Sequence, residues 1–267
     1  MIENLVIVRG AGDIATGTIH RLSRCGFNII ALEAGEPLVI RRTVAFAGAL
    51  FDNETTIEGV TSVKAGTLGE ACELSGEGII PVLIDPEGKA IKLLRPEIVV
   101  DAILAKRNLG TEKDMAGIVI GLGPGFTAGA DVHAVIETNR GHNLGRVILE
   151  GPAEPNTGIP GIIAGYGAER IIRAPESGLF KAECRIGDIV RKGQTVAYVA
   201  EIPVFSPLDG VLRGLIYNGT NVEKGLKIGD VDPRGKTEYC YGISDKARAV
   251  AGGVLEAILY LRRFKKD

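Results

Sequence analysis

The sequence has no tryptophan, two methionines, three histidines and only four cysteines, and these scarcities remove whole classes of function. Cys25, Cys72, Cys184 and Cys240 stand far apart with no CxxC pair, so neither a zinc knuckle nor a disulfide framework is encoded. The thiols read as small apolar side chains. No apolar run approaches the roughly 20 residues of a membrane span, so no membrane partner is expected. The opening MIENLVIVRG lacks the basic start, longer apolar stretch and small-residue cleavage site of a leader, which predicts a cytoplasmic protein. An excess of one charge is missing as well. With 31 Lys and Arg against 33 Asp and Glu, and no long block of either sign, the footprint of a nucleic-acid binder is absent. A GxxxxGK[ST] phosphate loop is also missing, which weighs against ATP hydrolysis.

What is present is glycine. Thirty-seven of the 267 residues are glycine, which predicts many tight turns and short strands, and the length predicts two or more modules. The apolar content of 45% and charged content of 24% are those of an ordinary folded protein.

The first cue is VIVRGAGDIATGTIHRL, residues 6–22. Leu5 to Val8 read as a strand, Gly10-Ala11-Gly12 as a turn, and Ala15, Ile19 and Leu22 recur as one face of a helix that Gly26 closes. Asn28 to Leu32 form a second strand ending on Glu33, so the order is β-α-β with an acid twenty-one residues beyond Gly12. This spacing fits the dinucleotide fingerprint, in which the glycines admit a pyrophosphate to the helix N-terminus and the acid meets a ribose. A tight structural turn is the plainer alternative. Asp13 argues against an anion there, unless it caps the helix or holds a cation. Arg41 and Arg42 are candidates for a phosphate, or else solvated surface. Ile79 to Ile84 predict another strand, and Pro96 is expected to open a helix over PEIVVDAILAKR.

Residues 117–148 form the densest polar and glycine-rich tract. Gly123, Gly125 and Thr127 lie in a loop with amides suited to an anion nest. Val132 to Ile136 read as a strand with His133 and Glu137 on one face. With Asp131 these are candidates for an acid-base pair or, more weakly, for a metal, and equally for hydrogen bonding that stiffens the loop. Arg140, His142 and Arg146 suit a phosphate or carboxylate, and no less an ion-pair network.

Residues 178–199 and 210–231 superimpose at an offset of 32, with Gly187/Gly219, Val190/Val222 and Gly193/Gly225 coinciding. The pair resembles the hammerhead of biotinyl and lipoyl domains, but the connection AEIPVFSPLDG holds no lysine, so no covalent biotin or lipoate is expected. Ser244 is expected to cap a final amphipathic helix in which Gly252-Gly253 mark a close approach.

Together VRGAGDIATG, IGLGPGFTAGADVHAVIETNRGHNLGRVI, PNTGIPG, IGDVDPR and ISDKARAVAGGVLEAIL resemble the selenium-dependent molybdenum hydroxylase accessory (maturation) proteins, the YqeB-like family. The resemblance implies a maturation role, handling a nucleotide- or phosphate-bearing cofactor of the molybdopterin type for a client hydroxylase; homo-oligomerisation stays open. The alternative is a nucleotide-dependent enzyme, an NAD-type oxidoreductase or cofactor-modifying catalyst, with Glu33 on a ribose and His133 or Glu137 moving protons. The expected architecture is α/β: a Rossmann-like lobe over residues 1–110, a glycine-rich middle segment over 111–175, a β hammerhead over 176–235 and a helix over 236–267 packing back on the core.

Overall fold

The first apolar run forms β1 (Leu5–Arg9), buried at all five positions as a strand covered on both faces must be. It is followed by α1 (Asp13–Arg24), β2 (Asn28–Glu33), α2 (Ala49–Asp52), β3 (Glu54–Ile57), β4 (Val60–Ala65), α3 (Leu68–Gly76), β5 (Ile80–Ile84), α4 (Lys89–Leu94) and β6 (Ile98–Asp101). Next come β7 (Ile118–Leu122), β8 (Thr127–Ala128), β9 (Ala134–Ile136), β10 (Val147–Ile148) and β11 (Gly151–Pro152). The computed structural model describes residues 2–158 and 161–264, so Ile159 and Pro160 of PNTGIPG lie outside the described residues. The chain divides into two units. One takes the residues up to Pro37, Ala45–Thr157 and Ile243 onward; the other takes Leu38–Val44 and Gly158–Gly242.

The first unit is built on a nine-stranded sheet of order β10-β9-β7-β6-β1-β2-β5-β4-β3. Its middle strands are parallel, while β3 and β10 add antiparallel edges. From β1 the chain steps through β2 in one direction and from β6 through β7 in the other, so strand order reverses between β1 and β6. Here the sequence reading fails at Pro96, because Ile98 to Asp101 form a strand and not a helix. The stretch is β-branched and fully buried, and it pairs with β1 and β7 on its two sides.

The last helix, α5 (Asp245–Phe264), belongs to the first unit. Ser244 caps it, its hydroxyl accepting the Ala247 amide at 3.1 Å. Its start crosses α1 where a side chain on Gly17 would run into the Ala247 backbone. Its last turn reaches the opposite edge, where Arg262 pairs with Glu97 at 2.7 Å and bonds Asn4 at 3.1 Å. Of the two mid-helix glycines, Gly253 is the one against which backbone packs, since a Cβ there would meet the Gly145 carbonyl and Ile136.

The second unit contains β12 (Ile171–Arg173), β13 (Gly178–Ala182), β14 (Ile189–Val190), β15 (Thr195–Val199), β16 (Ile202–Phe205), β17 (Gly210–Leu215), β18 (Asn221–Val222) and β19 (Lys227–Asp232). They form two four-stranded sheets, β12-β19-β17-β14 and β16-β15-β13-β18, around one apolar cluster that includes Phe180, Val196, Leu212 and Val231.

The expected Rossmann-like lobe plus hammerhead barrel-sandwich is therefore corrected. Strands assigned to a middle segment hydrogen-bond directly onto β6 and extend a single mixed sheet with antiparallel edges. In the second unit the repeat copies exchange strands, β13 with β18 and β14 with β17, and β12 and β16 from outside the copies complete two antiparallel sheets. Pairing of backbone donors across copies, which no local pattern encodes, decided this arrangement.

Candidate functional site

Strand order reverses between β1 and β6, and it is at such a reversal that open α/β sheets receive ligands, in the crevice above the carboxyl ends of the strands. Its floor is charged but closed. Arg9 and Asp101, adjacent in register at the ends of β1 and β6, are 4% and 2% exposed and pair at 3.4 Å. The Thr111 hydroxyl donates to Asp101 at 2.5 Å and also meets Arg9, which donates further to the carbonyls of Pro86 and Leu109 at 3.3 Å. This buried pair ties the loop after β6 to β1.

The glycine turn is partly filled by the protein itself. The Gly10 amide donates to the Leu32 carbonyl at 2.7 Å, and the Ala11 amide donates to the Glu33 carboxylate at 2.8 Å. Gly10 has a φ of +97°, and a Cβ on it would sit 2.9 Å from the Ala102 carbonyl oxygen, so packing alone explains that glycine. Gly12 differs. Its φ of −67° suits any residue, it stands at the N-cap of α1 without a side-chain cap, and nothing lies within 4 Å of where its Cβ would be. Asp13 is thus the first residue of α1 and not its cap. Space is left where a ligand would approach the helix.

The polar candidates of the middle tract hold loops. Glu137, 2% exposed, accepts the Asn139 amide at 2.6 Å and the Glu154 amide at 2.8 Å. His133 Nδ1 accepts the Val119 amide at 3.0 Å, and Asp131 accepts the Thr127 amide at 2.9 Å. Among the described residues no three His, Cys, Asp or Glu side chains gather as a metal site. Gly123 and Gly125 have positive φ and pack against Thr138 and the Arg107 backbone, so close packing and not a nest explains them. His142 is exposed, and Arg140 forms a fork to Asp245 at 2.7 and 2.9 Å.

Arg41 and Arg42 belong to the other unit. Arg41 donates to the carbonyls of Tyr239 and Gly242 at 3.3 Å; Arg42 donates to Leu215 at 3.2 Å and stacks 4.9 Å from the Tyr217 ring. Both candidates for a phosphate thus bind backbone carbonyls of their own unit. In the same unit, the IGDVDPR motif supplies Asp230, paired with Arg170, and the fully buried Asp232, paired with Arg234 at 2.6 Å and Arg213 at 3.5 Å. Burial and then the Arg41 charge push the Arg213 pKa down. Burial alone would raise the Asp232 carboxyl, but its bonds to Arg234 hold it below the ordinary value.

A residue that sequence reasoning passed over unifies the crevice. Lys246 lies half-buried in the first turn of α5, where the positive end of the helix disfavours a cation. Burial first, then the Arg140 charge, lower its pKa, while Asp13 and Glu137 partly offset this and Lys106 adds to the repulsion. Asp13, Lys106, Glu137 and Arg140 are thus the charges that Lys246 feels. In the loop after β6, Leu104 and Lys106 both adopt left-handed backbone, at φ of 59° and 63°. Such conformations are costly for side-chain-bearing residues and collect at binding sites. A lysine two residues behind a serine cap was the one signal visible in the sequence.

No family model matches the chain. It is 54% identical over 259 residues to the uncharacterized protein YqeB of Escherichia coli K12, covering 97% of this chain and 48% of that one. The chain therefore spans about half the length of the curated relative it matches. Among solved structures, an aspartoacylase family protein of Mesorhizobium loti aligns over 86% of this chain and 85% of its own at 11% identity and a TM-score of 0.29. A succinylglutamate desuccinylase/aspartoacylase of Rhodobacter sphaeroides covers the same shares at 14% identity and a TM-score of 0.27. No helix among the described residues is long and apolar enough to cross a membrane.

Proposed function

We propose that this chain binds the phosphate-bearing end of a nucleotide or molybdopterin-type cofactor at the carboxyl edge of its mixed sheet, in the cytoplasm, as an accessory factor for molybdenum hydroxylases. The observation that carries the binding is Lys246. A half-buried ammonium in the first turn of α5, with Arg140 and Lys106 adding positive charge, is only partly offset by Asp13 and Glu137, and an anion over Gly12 would offset the rest. The maturation role rests on the motif resemblance, and the client is a hydroxylase that lacks its cofactor.

The reading as a nucleotide-dependent enzyme has less support, because the candidates for proton transfer and for the ribose already have structural tasks. Glu137 is engaged by two amides, His133 Nδ1 by one and Glu33 by the Ala11 amide.

Calorimetric titration of the protein with CTP, NAD(H) and molybdopterin cytosine dinucleotide tests the binding. Saturable heat that weakens about tenfold or more in Lys246→Gln supports the reading, that being the worth of one charge-assisted hydrogen bond. Equal affinity in the folded variant refutes it. Activation of a purified apo-hydroxylase by this protein, with no turnover in its absence, tests the accessory role.

A further inference from the structure

Beyond their crossing at Gly17 and Ala247, α1 and α5 enclose a second concavity. It has a volume of about 280 Å³ and is lined by His20, Arg21, Arg24 and Cys25 from α1 and by Ile243, Arg248 and Leu255 from α5 and its approach. The turn between β3 and β4 holds two of these lining residues in place. There Glu58 clamps Arg248 at 2.6 and 2.8 Å and accepts the Ile243 amide at 2.8 Å. His20, 7% exposed, donates from Nε2 to the Glu58 carbonyl at 3.3 Å, which sets its ring as part of the lining.

The charges in this cleft are unbalanced. Arg248 has its carboxylate, but among the described residues no carboxylate pairs with Arg21 or Arg24. These two are three residues apart on one helix, so both guanidinium groups project over the same cleft. The plainer account is that they offset the negative carboxyl end of α1. That account leaves unexplained the cleft they line, where the neighbouring His20 is buried and Arg248 of α5 is clamped by Glu58.

We propose that the cleft between α1 and α5 is a second anion site, separate from the crevice at Lys246, and that it takes a small phosphomonoester. Two adjacent guanidinium forks match the paired oxygens of a dianionic phosphate. The volume, at the small end of the roughly 300–1,000 Å³ typical of ligand pockets, limits the rest of the molecule to a few carbons against Ile243 and Leu255.

Cys25 provides a local reporter, because it lines the cleft and is exposed, whereas Cys72 and Cys184 are half-buried and Cys240 is buried. Alkylation by the neutral reagent iodoacetamide is followed at each cysteine by mass spectrometry, with orthophosphate titrated against chloride at matched ionic strength. The expected result is saturable protection of Cys25, about tenfold at phosphate ten times its dissociation constant by mass action, with Cys72 and Cys184 unchanged. Protection is expected to vanish in R21Q/R24Q, to weaken in R24Q alone and to persist in K246Q, which separates this site from the crevice. No protection in the native protein, equal protection by chloride, or protection that survives R21Q/R24Q overturns the proposal.

Discussion

The Glu33 carboxylate accepts the Ala11 amide at 2.8 Å, so the acid that ends β2 binds the turn that follows β1. With its other oxygen accepting the Ala34 amide at 2.8 Å, the carboxylate stiffens that loop. The anion must then be met by the start of α1 beyond Gly12 and by side chains from neighbouring loops. Glu33→Ala is expected to lower stability by about 1–2 kcal/mol, as loss of a charged hydrogen-bond acceptor does, while nucleotide affinity stays within about twofold by the same reasoning. Thermal melting and calorimetry check this, and a collapse of affinity in a folded variant would restore Glu33 as a ligand.

Gly10 and Gly12 are expected to respond in opposite ways. Gly10→Ala places a side chain against the Ala102 carbonyl at positive φ and should cost about 1–3 kcal/mol. Gly12→Val should melt near the native temperature and lose phosphate binding, because its side chain fills the approach space and nothing else. Melting curves and titrations of both variants decide between them.

The pH dependence of nucleotide binding should carry the signature of Lys246. Burial and Arg140 lower its folded pKa, so the charged form is the costly one in the free protein. An anion raises that pKa again, and binding takes up a proton. Affinity is therefore level at pH values below the folded pKa and falls as pH rises through it, beginning below the ordinary lysine range. The slope should disappear in Lys246→Gln; titrations in buffers of different ionisation enthalpy measure the proton directly.

Within α5, Gly253→Ala drives a methyl into the Gly145 carbonyl and Ile136 and should destabilise by about 1–3 kcal/mol. Gly252→Ala meets only the Arg21 guanidinium, at 3.7 Å, and should stabilise by about 0.5–1 kcal/mol through helix propensity. Chemical denaturation of the two variants tests the contrast.

Asp101→Ala leaves Arg9 charged and buried at the floor of the crevice and should cost about 3–5 kcal/mol. The double variant Arg9→Met, Asp101→Leu is expected to recover a large part of that loss, while binding weakens because the loop carrying Lys106 is no longer tied to β1. Denaturation and titration of both variants separate the two effects.

Local chemistry made several parts of this protein legible. Leu5 to Arg9, the glycine turn, α1 and Glu33 at the end of β2 follow from periodicity and turn residues, as do Ser244 as a cap and the close approach at Gly253. Ile98 to Asp101 was misread because a short apolar stretch after proline satisfies helix and strand patterns alike, and only pairing on both sides decides between them. The sheets of the second unit were equally out of reach, since copies of a repeat can pair within themselves or with each other. The same holds for the site. Glu33, His133 and Glu137 were visible as polar residues, but whether they face a ligand or a backbone amide depends on loops that meet only after folding. Lys246 lies more than two hundred residues from Asp13 and more than one hundred from Arg140, and the combination of burial and charge that sets it apart exists only in three dimensions.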